Sequence, residues 1–130
     1  MSKRFAVAVV LALVSSVGCG GISSPSQNQQ ETFNGTLDVG GFKVFPVNIG
    51  NTGEFSVKIT ALSPTVTAVV GTRWGQGSNC EFPLQQNNLS TLNSSALVGA
   101  IFQKGAYCVA IFDSIGLTVA QNFTLVVSHP

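Results

Sequence analysis

The sequence predicts an all-β fold, a single antiparallel β-sandwich, and three observations lead there. Seven or eight short segments, alternating or β-branched in character, follow at regular spacing with Gly, Pro, Asn and Ser between them. No stretch keeps a helical period over three turns. Finally, Gly105–Asp113 (Gly-Ala-Tyr-Cys-Val-Ala-Ile-Phe-Asp) is apolar on both of its faces. Period two puts Tyr107, Val109, Ile111 and Asp113 on one side and Ala106, Cys108, Ala110 and Phe112 on the other. Such a strand belongs in the middle of a sheet, covered on at least one face.

The remaining elements follow in chain order. Phe33 to Val39 alternates, with Phe33, Leu37 and Val39 on the apolar face, and Gly40-Gly41 turns the chain. Phe42 to Ile49 is a second strand, in which Pro46 lacks a ladder donor and therefore needs an edge or a bulge. After the Gly50–Gly53 turn, Glu54 to Leu62 points Phe55, Val57, Ile59 and Ala61 inward until Ser63-Pro64 breaks it. Thr65 to Thr72 is a β-branched run closed by Arg73-Trp74, and Gly75–Asn79 is a loop. A short strand near Cys80 to Leu84 precedes a polar, irregular stretch to Ser95. Ala96 to Phe102 and Gln121 to Ser128 complete the set, the latter with Phe123, Leu125 and Val127 inward.

Ahead of the sandwich (32–130) stands a leader. Lys3 and Arg4 are followed by the apolar run Phe5 to Val14, too short to span a bilayer, then by small residues up to Cys19. Residues 1–18 therefore read as a signal peptide. Ser16-Val17-Gly18-Cys19 resembles the lipobox of bacterial lipoproteins, with Ser16 standing where leucine is usual. That resemblance implies an acylated Cys19 as the mature N-terminus, a membrane partner through its lipid and, with Gly20 next, an outer-membrane location. Polar residues 20–31 would then be the tether that holds the domain off the lipid.

Three cysteines are an odd number for an exported protein. Lipid on Cys19 leaves Cys80 and Cys108 to form a disulfide, the alternative being two buried thiols. The closed loop would stabilise the fold by about 3–4 kcal/mol.

Several short motifs together resemble the bacterial pre-peptidase C-terminal domain family: Phe33–Leu37, Phe55–Ile59, Gly105–Ile111 and Phe123–Val127. The resemblance covers about 32–128 and implies a jelly-roll-like sandwich that accompanies secreted enzymes. Gly40-Gly41 stands where the family usually has an aspartate, and the acidic clusters of calcium-binding members are absent from this sequence, so calcium is not carried over.

Composition narrows the function. Only 8% of residues are charged. Outside the leader, Lys43, Lys58, Arg73 and Lys104 face Glu31, Asp38, Glu54, Glu81 and Asp113, one negative charge in excess. A nucleic-acid partner would need a basic patch. No metal or other cofactor is expected, with one histidine and no Cys-x-x-Cys. Nor is catalysis: there is no Gly-x-Ser-x-Gly, His129 adjoins a C-terminus expected to fray, and Asp38, Glu81 and Asp113 read as solvated strand-end charges.

The candidate binding residues are Arg73 and Trp74. The chain's only tryptophan, beside its only arginine outside the leader, has hot-spot composition; the plainer reading has Trp74 covering the sandwich end. Asn87-Asn88 and Asn93-Ser94-Ser95 could offer amides to a sugar, and the Asn-x-Ser/Thr triplets at Asn34, Asn88, Asn93 and Asn122 read as compositional accidents. The expected function is a lipid-anchored, non-catalytic binding or accessory module for an envelope protein or glycan. The alternative is a purely structural envelope component.

Overall fold

In the computed structural model of this chain, residues 27–130 are described. The expected signal peptide, the acylated Cys19 and residues 20–26 of the expected tether lie outside them. Eight strands form: β1 (Gln29–Leu37), β2 (Phe42–Ile49), β3 (Gly53–Ser63), β4 (Val70–Gln76), β5 (Pro83–Ser90), β6 (Leu97–Ile101), β7 (Gly105–Phe112) and β8 (Gln121–His129). They make two four-stranded antiparallel sheets, β1-β8-β3-β6 and β2-β7-β4-β5. The two sheets make the antiparallel β-sandwich that the sequence predicts, and their strand order is that of a jelly roll, the form that the family resemblance implies. Among the described strands only β4 and β5 are both consecutive and paired. Every other connection between these strands crosses from one sheet to the other.

β7 lies between β2 and β4 and is covered on both faces, as its composition requires. Tyr107, Val109 and Ile111 enter the core between the sheets. Cys108 and Ala110 are buried on the outer side with Cys80, against Val44. The Cys80–Cys108 disulfide is formed, with Cα atoms 5.7 Å apart. β2 is an edge strand, which accommodates Pro46.

Five expectations are corrected. The expected tether ends at 31, but β1 begins at Gln29, because Gln29, Gln30 and Glu31 find ladder partners in His129, Ser128 and Val127. Val39 falls in the turn after β1 and is exposed. In β3 the alternation holds through Phe55, Val57 and Ile59, then a bulge between Ile59 and Ala61 adds a residue. Leu62, not Ala61, is buried, since an extra residue flips every later side chain. The β-branched run 65–69 is loop after a cis Ser63-Pro64 bond, and β4 starts at Val70. The short strand expected near Cys80–Leu84 and the polar stretch expected to be irregular up to Ser95 give one strand, β5 at Pro83–Ser90, with only 91–95 of that stretch outside it.

The fold has two ends. One carries the segment before β1, the turn 50–52, the loops 77–82 and 102–104, and Pro130; it is called here the terminal end. The far end carries 38–41, 64–69, 91–96 and 113–120. Inside, two aromatic groups join the sheets. Phe33 stacks on Phe45 at 4.8 Å with Phe123 edge-on, and Phe55, Trp74 and Tyr107 pack together on the other side.

Candidate functional site on the outer face of one sheet

Arg73 and Trp74 are adjacent in a strand, so they point to opposite faces of β4. The structure thereby separates the two candidate contact residues. Trp74 is only 2% exposed and faces the core. Its ring centroid lies 4.6 Å from that of Phe55 and 6.3 Å from that of Tyr107. Its Nε1 donates to Gln85 Oε1 at 3.1 Å. The indole lies across Gly99 of β6, where a Cβ would come 2.1 Å from Cζ2. Trp74 is a core residue joining the sheets and has no surface with which to bind a partner.

Arg73 remains on the outer face of β2-β7-β4-β5. Its register partners are Ala110 on β7 and Gln86 on β5. Two residues back along β4, on the same face, Gly71 pairs with Phe112, which pairs with Phe42. Gly71 has no side chain, so the Phe112 ring lies over its backbone; a Cβ there would meet the ring at 2.2 Å. Phe42 and Phe112 sit side by side with centroids 6.0 Å apart. The Arg73 guanidinium carbon lies 4.4 Å from the Phe42 centroid and 5.3 Å from that of Phe112. A cation over two ring faces is held by the ring quadrupoles, about 0.5–1 kcal/mol at exposed sites.

Polar groups flank this shelf. Arg73 Nη1 donates weakly to Gln86 Oε1 at 3.4 Å, and Gln86 Nε2 donates to Asn88 Oδ1 at 2.6 Å. Arg73 Nε is shielded from solvent and has no hydrogen-bond partner. Phe42, Gln86 and Asn88 are exposed. The arrangement offers apolar ring surface, a fixed positive charge and amide groups on one sheet face. These groups can stack on a ligand and hydrogen-bond to it; they include no nucleophile or proton-transfer pair.

The titratable residues are distributed differently from the sequence expectation. His129 is buried in β8, where the frayed end was expected, and its Nε2 is 2.8 Å from Glu31 Oε1. Asp113 is at the far end. Its carboxylate accepts from the backbone amides of Gly40 at 2.8 Å, Gly116 at 2.8 Å and Leu117 at 2.9 Å. These bonds, Gly40's foremost, hold its carboxyl below the ordinary aspartate value against an opposing desolvation effect. Asp113 thus ties the turn after β1 to the loop after β7. With His129 and Asp113 at opposite ends, they make no Ser-His-Asp arrangement. Glu81 is likewise at the end opposite Asp38 and Asp113. Among the described residues no three or more His, Cys, Asp or Glu side chains gather as a metal site.

Of the amides singled out in the sequence, Asn87 accepts from its own neighbour Leu89 N at 2.9 Å, while Asn88 joins the shelf. Asn93 and Ser95 are exposed at the far end, and Ser94 is engaged with Thr91. Phe42, Phe112 and Gln86 were not among the candidates. Only strand register brings them to Arg73, and no local motif encodes it. No protein-family model matches this chain, and no curated protein matches it.

Proposed function

We propose that this chain is a lipid-anchored, non-catalytic module of the bacterial outer membrane that binds an envelope protein or glycan. Its contact surface is the shelf of Phe42, Phe112, Arg73, Gln86 and Asn88. The observation that supports this is the guanidinium laid over two aromatic rings on the outer face of a sheet, flanked by exposed amides. Aromatic and arginine side chains dominate binding energy at protein interfaces. The exposed part of Phe42 beside the Gln86 and Asn88 amides also suits the apolar faces and hydroxyls of a sugar.

The test has two parts. Intact mass of the membrane-extracted protein, before and after reduction and alkylation, should match cleavage before Cys19 plus acyl chains, with two thiols appearing only on reduction. Titration of the immobilised protein with envelope glycan fragments and solubilised envelope proteins should give saturable binding. Arg73→Glu and Phe42→Ser should abolish that binding while the melting temperature holds. Binding that survives both changes removes the shelf from the proposal. No saturable binding at all leaves the purely structural envelope role.

A further inference from the structure

Single exposed apolar side chains are ordinary on protein surfaces. Here the two most exposed large ones among the described residues, Phe82 at 88% and Phe102 at 82%, come to one corner. Phe82 directly precedes the first residue of β5, and Phe102 directly follows the last residue of β6. β5 and β6 are edge strands of the two sheets and touch across the side of the sandwich. Both phenylalanines therefore belong to the terminal end on that side, with exposed Leu84 beside them on β5. The nearby loop charges, Glu81 and Lys104, are one of each sign. The corner has no net charge and two bare aromatic rings.

The chain leaves toward Cys19 from this same end. β1 begins at Gln29 in sheet β1-β8-β3-β6, three strand spacings from β6, or about 14 Å. Eight peptide steps separate Cys19 from Gln27, a span of at most about 28 Å. That length carries the Phe82–Phe102 corner to a bilayer with slack. The far end stands roughly 25 Å higher along the strands, and bringing it to the lipid would use almost all of that length.

We infer that Phe82 and Phe102 form a membrane-contact edge, seated in the headgroup region of the bilayer that holds the acylated Cys19. Phenylalanine and leucine side chains on an otherwise polar surface partition to that boundary. The acyl chains supply attachment, and the edge supplies orientation. It stands the strands up from the membrane and holds Phe42 and Phe112, at the far-end side of β2 and β7, away from the lipid. This inference rests on the lipid-anchor reading.

The experiment uses the full mature protein in vesicles of phosphatidylethanolamine and phosphatidylglycerol, with and without brominated acyl chains. Phe82→Trp and Phe102→Trp add an indole to the corner, and Val66→Trp adds one at the far end, where Val66 is also exposed. Buried Trp74 gives the background. Vesicle flotation and intact mass report the anchor separately. The expected result is flotation, loss of the added emission to bromine in the two corner variants, and none in Val66→Trp. Flotation with equal quenching, or none, in all three overturns the edge and leaves the anchor standing. An unacylated chain that neither floats nor is quenched overturns both. Quenching at the corner in an unacylated chain supports the edge and overturns the anchor.

Discussion

Trp74 fills the gap between two sheets because Gly99, opposite it, has no side chain. The ring is held between Phe55 and Tyr107 and cannot swing aside. Gly99→Ala should therefore destabilise the domain by about 1–3 kcal/mol through overpacking, read as a lower urea midpoint at unchanged slope. Trp74→Ala should cost more, about 3–5 kcal/mol. Asp113 makes a different kind of prediction. Its carboxyl titrates lower in the folded chain than in the unfolded one, so its contribution is complete above about pH 4. The contribution is lost as pH falls through the folded value. Asp113→Asn should melt below wild type at pH 6, and the gap should close as pH is lowered toward 2. A gap independent of pH would show that the carboxylate charge is not what holds the Gly40 and Leu117 amides.

At the level of elements, β5 leaves no hydrophobic signal in the sequence because its polarity is inverted. Leu84 and Leu89 are exposed, while Gln85 meets Trp74 Nε1 and Ser90 is buried. Ser90 Oγ lies 2.7 Å from Thr72 Oγ1, a buried hydroxyl pair that joins β4 to β5. Hydrophobic alternation cannot reveal a strand whose inward side chains are amides and hydroxyls. By contrast β8 carries ordinary alternation and β7 is apolar on both faces, and these strands and β2 fall within a residue of where the sequence puts them. The β3 bulge is invisible beforehand, because Ala61 and Leu62 are both apolar and only the ladder to β8 decides between them. The site was half legible: Arg73 stands out by composition, but its aromatic partners come from strands thirty or more positions away. The hydroxyl pair can be tested by a double-mutant cycle. Thr72→Val should cost about 1–3 kcal/mol by leaving Ser90 with only a 3.4 Å contact to Asn87 O, and adding Ser90→Ala should recover part of it.

For the molecule as a whole, the disulfide connects the loop after β4 to the central strand β7 across 28 positions. Removing both cysteines with Cys80→Ala and Cys108→Ala should lower unfolding free energy by about 3–4 kcal/mol in guanidinium titrations. A loss near zero would mean that the loop is already constrained in the unfolded chain. The same topology makes folding depend on distant pairings, since nearly every strand has partners far along the chain, and such folds form slowly. β8 carries this furthest. It is the last of the eight strands in chain order, yet it lies between β1 and β3 and is the only strand that β1 pairs with in its sheet. A nascent chain therefore cannot complete this sheet piece by piece as it emerges: β1 and β3 wait with open edges until residues 121–129 arrive. Any factor that shields those edges has to act before β8 pairs, and a truncation within β8 should leave both edges open to intermolecular pairing, read as aggregation of the truncated chain.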